Sequence, residues 1–363
     1  MVSMKFKVAW KTVLPPVLGL IAFFLYIYIF GVDILQIITI IQSSINPYIY
    51  LLAAIAVLFD TLFFAIAWYF LLRFLAVKLS IAKALLFVWF GMFIDILIPA
   101  ESISGEISKI YLVTREQNGT TGRVTASVVA QRLIGMTINI VTLLIGAALL
   151  LMERQFFGVM LNLTLILVTL TFIFLSLLLL LCIKEEWSLR IIDKIMKFAE
   201  WVSRGRWKLT KVREEAVKAA KAFHDAMMQF GHAPKTLIIA SSFSVISWIL
   251  ALAVFPLSFL SIGKITAISW SEMLVVFSIF TAVKSIPLGV PFEVGLPEIT
   301  LTTLFILVGV PPQTSATVTI LVRILTLWFR FFIGFAAQQW LGIKAITTAS
   351  AQNKNDQIKT EKT

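Results

Sequence analysis

Apolar residues fill this chain in long blocks, and the polar residues collect between them. Such blocks cover residues 13–30, 47–72, 124–152, 159–183, 236–261 and 316–340. Each approaches or exceeds the roughly 20 residues that carry an α-helix across a bilayer. The pattern predicts an all-α polytopic membrane protein with about six full transmembrane helices. Two further apolar runs, 81–98 and 271–286, end in interruptions rather than ordinary loops. The first reads Ile98-Pro99-Ala100-Glu101-Ser102-Ile103-Ser104-Gly105-Glu106. The second runs from Ile286-Pro287 through Phe292-Glu293 to Gly295-Leu296-Pro297-Glu298. Short apolar segments, 107–113 and 296–308, follow them. Pro99, Gly105, Pro287, Gly295 and Pro297 are the expected helix breaks. Interrupted backbone at membrane depth is tolerated only where protein buries it or it lines a wet cavity. Each interruption therefore predicts a broken or re-entrant helical hairpin, with a pair of bent crossings as the alternative.

Charge orients these elements. Lys5, Lys7 and Lys11 precede the first block, which is long for a signal peptide and lacks a small-x-small cleavage site. Arg73, Lys78 and Lys83 follow the second block, and Arg115 and Arg123 follow the first hairpin. Residues 184–235 hold twelve Lys/Arg against seven Asp/Glu. The positive-inside bias puts all of these, and both termini, on the cytoplasmic side of the cell membrane. The loop 31–46, with Asp33 and no Lys or Arg, falls outside. The first hairpin then enters from inside and the second from outside. Helix–hairpin–helix thus occurs twice in opposite orientation, an inverted repeat of the kind that supports alternating access. One membrane domain, 1–345, is expected, with a disordered tail over 346–363. Within it, Trp187, Ile191, Ile195, Phe198 and Val202, and then Val212, Ala216, Ala219, Phe223, Met227 and Phe230, recur at helical spacing. This predicts two amphipathic helices in 184–235 lying on anionic inner-leaflet lipid.

Composition agrees with that picture. Hydrophobic residues make up 60% of the chain and charged residues 14%, far less charge than a soluble surface carries. The formal net charge of +12 reads as membrane-surface attraction and not as nucleic-acid binding. Cys182 is the only cysteine, so no intrachain disulfide forms. The two histidines, His224 and His232, fall in the polar loop and read as solvated. No metal-ligand cluster, nucleotide loop or catalytic triad stands out, and no cofactor is implied. Membrane lipids are the expected partners, with self-association left open.

The candidate chemistry lies at the interruptions. Glu106 precedes Arg132 by 26 positions and Glu298 precedes Arg323 by 25. Both arginines sit inside apolar blocks, where a lone charge is expensive. They are the natural partners of the two glutamates, within or across repeats. Ser102 or Ser104 is placed to cap a helix near Gly105, and Pro297 suits a first helical turn. A helix N-terminus and an arginine fork both suit a phosphate-bearing head. Lys109 shares a helix face with Glu106, and Lys284 lies near the second break; snorkelling to the interface accounts for either equally well. Glu101 and Glu293 complete the predicted pathway set of Glu106, Lys109, Arg132, Glu298, Arg323 and Lys284. These groups should converge near the midplane. Asp60, an acid inside the second block, reads as a pairing residue or a functional one; Arg330 lies in the last block.

These motifs resemble the lysylphosphatidylglycerol synthetase transmembrane, or flippase-like, domain family. Pro99 to Gly105-Glu106 and Lys109 is similar to its Pro…Gly-Glu-x-x-Arg/Lys signature. Gly295-Leu296-Pro297-Glu298, then Leu307-Val308-Gly309-Val310, is similar to a later one, and Arg132 and Arg323 match its expected arginines. Phe292-Glu293 departs from the usual Gly-rich stretch. The resemblance implies the lipid-translocating half without a soluble aminoacyl-transferase domain. A lipid translocase is the expected function, against a proton- or cation-coupled solute transporter or a subunit of a lipid-modifying enzyme.

Overall fold

The computed structural model describes residues 28, 34–98, 103–153, 158–202, 210–265, 268–284 and 295–342. The predicted first crossing at 13–30, the tip residues Pro99, Glu101, Pro287 and Glu293, and the tail lie outside that set. The fold is all-α, and no strand occurs among the described residues. The helices are α1 (Ile34–Ser44), α2 (Pro47–Phe74), α3 (Ile81–Leu97), α4 (Ile103–Glu116), α5 (Thr121–Met152) and α6 (Gly158–Ile183). Then come α7 (Glu185–Val202), α8 (Thr210–Gly231), α9 (Pro234–Ser261), α10 (Trp270–Lys284), α11 (Leu296–Leu307) and α12 (Pro312–Gly342). Within α12 the residues Ile324–Phe329 form a π-helical turn. Five helices (α2, α5, α9, α12 and, over Asn162–Ile183, α6) are long and apolar enough to cross a membrane, so the protein is multi-pass.

Local chemistry explains the boundaries. Asn46 Oδ1 accepts from the backbone N–H groups of Tyr48 and Ile49 at 3.1 and 3.3 Å, and Pro47 opens α2. Ser80 Oγ accepts from Lys83 N at the start of α3. Pro234 and Pro312 sit in the first turns of α9 and α12, where a missing N–H costs nothing. The expected loop at 31–46 is instead largely the helix α1. Its isoleucines at 34, 37, 38 and 41 follow helical spacing, and the absence of Lys and Arg said nothing against a short helix.

Two hydrophobic cores organise the bundle. One gathers α10, α11 and the N-terminal part of α12 with α9 and the start of α2. The other gathers α3, α4 and the N-terminal half of α5 with the end of α2. Helices α2 and α9 form the most extensive pair and run through both cores. Each core therefore surrounds one helical hairpin: α10–α11 in the one, α3–α4 in the other. Small residues permit close approach, which is the main attraction between helices in lipid. Gly146 on α5 meets Val275 of α10, and Gly334 on α12 meets Phe93 and the Trp89 carbonyl of α3. The last helix of each half thus closes on the hairpin of the other.

The basic segment is not laid wholly on lipid. Ala226 and Phe230 of α8 are buried in the core around α3–α4, and Phe230 stacks on Phe74 with centroids 5.4 Å apart. Gly122 of α5 lies directly against the α8 backbone. His224 is buried, not solvated, and its Nε2 sits 3.2 Å from Ser188 Oγ of α7. Amphipathic spacing predicted a covered face correctly, but protein covers the α8 face. Asp193 of α7 pairs with Lys197 at 2.8 Å and with Arg213 of α8. The Lys197 hydrogen bond and these two cations hold its carboxyl below the usual range.

Candidate functional site

Each hairpin carries its glutamate to the arginine of the same half. Arg132 Nη1 of α5 donates to Glu106 Oε1 of α4 at 3.0 Å. Arg323 Nε of α12 donates to Glu298 Oε1 of α11 at 2.6 Å. Pairing within rather than between halves follows from packing, because α4 lies on α5 and α11 lies on α12. The environments differ sharply. Side-chain exposure is 25% and 20% for Glu106 and Arg132, against 6% and 4% for Glu298 and Arg323.

The two hairpins are also built differently. Gly295 caps α11 at φ +100°, a region open to glycine, and donates its N–H to Glu298 Oε2 at 2.6 Å. Pro297 sits in that first turn. One carboxylate thus ties the helix start to Arg323. In the first hairpin the cap comes from across the break. Asp95 Oδ1 of α3 accepts from Ser104 Oγ at 2.7 Å and from Gly105 N at 2.6 Å. Ser104 is therefore a donor to Asp95 and not the cap itself. Gly105 lies inside α4 and breaks no helix; its missing side chain lets α4 approach Asp95 and the Gly91 carbonyl of α3.

Beside this junction is a cavity of about 180 Å³ whose polar lining is Asp95, Glu106, Lys109, Lys284, Thr326 and Arg330. It draws on both halves: α3 and α4 from the first, α10 and α12 from the second. Lys109 is 6% exposed, and its Nζ lies 5.4 Å from the Phe64 ring centroid and 5.1 Å from that of Trp68. Such stacking stabilises a desolvated cation by about 2 kcal/mol, well short of a full hydration shell. Arg330 Nη2 reaches Asp60 Oδ2 on α2 at 2.5 Å, and Asp60 Oδ1 accepts from Ser247 Oγ of α9 at 2.6 Å.

The π-helical turn explains how one helix supplies two arginines to different neighbours. Residues seven apart on a regular α-helix face within about 20° of each other. The wider turn between Arg323 and Arg330 rotates the second away from α11 and toward α2.

Of the predicted pathway residues, Glu106, Lys109 and Lys284 meet at the cavity, and Arg132 joins through Glu106. Glu298 and Arg323 pair elsewhere, inside the second half, and are absent from the cavity lining. Asp95 and Thr326 were not singled out from sequence, and Arg330 and Asp60 were noticed only as charges in apolar blocks. Asp95 alone carried a usable signal: an acid twelve residues after Lys83, within the apolar part of a hairpin arm. No group of three or more His, Cys, Asp or Glu suited to a metal occurs among the described residues.

The family model for the lysylphosphatidylglycerol synthase TM region matches residues 16–334. The chain is also similar to the UPF0104 membrane protein PH1989 of Pyrococcus horikoshii, 23% identical over 295 residues. That alignment covers 78% of this chain and 84% of the archaeal protein.

Proposed function

Because the chain belongs to the family of the lysylphosphatidylglycerol synthase TM region, we propose that it moves a lipid between the leaflets of the cell membrane. The lipid is a phospholipid, a modified phospholipid or a polyprenyl-linked carrier. The observation that carries this reading is the cavity at the meeting of the two halves, lined by charged side chains from four helices inside an apolar bundle. Ionisable side chains at membrane depth are costly and mark pathways for polar groups. The acyl chains of a lipid need no such lining, but its head does. The protein is read as a translocase and not as an enzyme. Hairpins entering from opposite faces, with both termini cytoplasmic, make an inverted repeat that exposes the cavity to each side in turn. The basic residues of α7 and α8 face anionic inner-leaflet lipid.

A small polar solute is the second reading, favoured by the modest volume of the cavity. Purified protein in liposomes separates the two. Fluorescent lipids of differing head groups should become accessible to a membrane-impermeant quencher on both faces only in proteoliposomes. Lipid redistribution at the protein-free rate for every head group, with uptake of a trapped solute, would favour the solute.

A further inference from the structure

We propose that the π-helical turn of α12 is the joint on which the two halves move, and that Tyr50 is the positioning residue that holds it in its present register. This rests on the translocase reading and adds to it the element that changes the side to which the cavity opens. α12 is fastened to a different half on each side of the turn. Before it, Val318, Leu321 and Val322 are buried in the core around α10–α11, and Arg323 is paired with Glu298 of α11. After it, Gly334 meets the Trp89 carbonyl of α3, and the Phe331 and Phe335 ring centroids lie 5.3 and 6.0 Å from that of Phe93. Arg330 holds Asp60 of α2. The turn itself lies on the cavity wall, where Thr326 and Arg330 belong to the lining. With both ends packed, a shift of one hairpin against the other is taken up by α12 between residues 323 and 330.

The segment is able to take two backbone forms. Ile324-Leu325-Thr326-Leu327-Trp328-Phe329 contains no proline or glycine, so nothing local requires the wide turn. A π-helical turn is rare by itself, and side-chain contacts hold this one. Two hydroxyls do so at its entry. Tyr50 Oη of α2 donates to the Leu321 carbonyl at 2.9 Å, and Thr326 Oγ1 donates to the Val322 carbonyl at 2.9 Å. The Ile324 N–H is shared between the Ile320 and Leu321 carbonyls. The Leu321 carbonyl is thus where the α ladder passes into the π turn, and Tyr50 pins it from another helix. With the same sequence in a regular α-helix, everything after the turn would be rotated by about 100°, one residue's step, which takes Arg330 off Asp60. An element with two registers, packed on a different body at each end, is what a switch between two arrangements of the halves requires.

The test reads the movement separately from lipid crossing. Spin labels on Tyr111→Cys of α4 and Trp270→Cys of α10, two exposed positions on opposite hairpins, report the distance between the halves. The full-length protein carries Cys182→Ser as well and is held in lipid nanodiscs. This parent should show two distance populations. Deleting Ile324, which is exposed, removes one residue from the turn, restores a regular α-helix and leaves Arg323 and Arg330 facing their partners. The deletion variant should keep its thermal midpoint and collapse the two populations to one. Its lipid redistribution in proteoliposomes should fall about tenfold or more, because a fixed joint stops the alternation. Tyr50→Phe keeps the ring and removes the hydroxyl. It should shift the ratio of the populations on the order of fivefold, as one lost hydrogen bond allows. Thr326→Val should shift it in the same direction, and these two variants carry the test if the deletion variant does not fold. The same distance distribution in the parent and the deletion variant would overturn the joint, as would lipid redistribution by the deletion variant at the parent rate. Populations indifferent to both Tyr50→Phe and Thr326→Val would overturn the hydroxyl latch and the role of Tyr50. If the populations respond to the turn but no lipid of any head group crosses, the joint stands and the translocase reading fails. If lipid crosses and the populations ignore the turn, the joint fails and the translocase reading stands.

Discussion

The two hairpins carry the same Glu–Arg device in opposite states. In α10–α11 the pair is sealed, with Glu298 also holding Gly295 N at the helix start. Beside it Thr302 donates to Thr319 at 3.0 Å, and Leu301, three residues after the glutamate, is fully buried in the core. In α3–α4 the pair is partly open, and the residue three after the glutamate is Lys109, a cavity cation. A buried pair locks one geometry, and losing either partner is severe. A pair at the edge of a cavity can exchange its partner for a ligand. On the proposed translocase function, one repeated motif serves as a structural clip in the second half and as part of a polar pathway in the first.

The largest effect expected from this contrast is Glu298→Gln. It removes the carboxylate charge facing Arg323 in a dry site and should cost about 3–5 kcal/mol, seen as poor folding yield and an early thermal midpoint in detergent. Glu106→Gln, at a partly open site, should cost about 1 kcal/mol or less. Equal losses in the two variants would erase the distinction between the hairpins. Adding Arg323→Met to Glu298→Gln should recover much of the stability, because the buried arginine charge is then removed together with its carboxylate.

Lys109→Met should move stability the other way. A desolvated ammonium, drawn to Glu106 and Asp95 across the cavity but in a salt bridge with neither, is replaced by an apolar side chain of similar length, worth about 1 kcal/mol or more in favour of the fold. A variant that melts later and binds less phospholipid marks Lys109 as kept for function at the expense of stability. A Lys109→Met protein that melts markedly earlier would instead make the lysine part of the scaffold.

The glycines sharpen the comparison further. Gly105→Ala places a Cβ on Asp95 and the Gly91 carbonyl and should cost about 1–3 kcal/mol through overpacking. Gly295→Ala should cost a similar amount for another reason, backbone strain at φ +100°. Asn, which tolerates positive φ better than Ala, should recover stability at 295 and make matters worse at 105. The smallest change belongs to the exposed Lys83–Glu116 pair, where Glu116→Gln should shift the thermal midpoint by no more than about 1 kcal/mol allows.

Why some of this was legible in the sequence and some was not has physical causes. Proline, glycine and charge are conspicuous in apolar blocks, so both hairpins and both Glu–Arg spacings stood out before any coordinates. The spacing could not say whether pairing ran within or between halves, because that depends on which helices touch. Asp95 escaped notice because its partners, Ser104 and Gly105, lie across the break, and a fold-back has no sequence period. Phe64 and Trp68 are two aromatics among many in α2, a helix apolar on every side, so nothing in its pattern separates a face for Lys109 from one for lipid. The π-helical turn that parts Arg323 from Arg330 has no proline or glycine to announce it. Amphipathic spacing in α8 showed that a face is covered, but protein and lipid leave the same pattern.

The claim that the first hairpin carries the pathway and the second the scaffold is tested most directly by lipid redistribution in proteoliposomes. Wild type, Glu106→Gln and Glu298→Gln are compared at equal amounts of folded, incorporated protein. Glu106→Gln should lose most of its phospholipid translocation while keeping a near-normal thermal midpoint. Glu298→Gln should yield little folded protein, and the fraction that folds should keep a substantial rate. Full translocation by Glu106→Gln, or a well-folded Glu298→Gln protein that moves no lipid, would contradict the assignment.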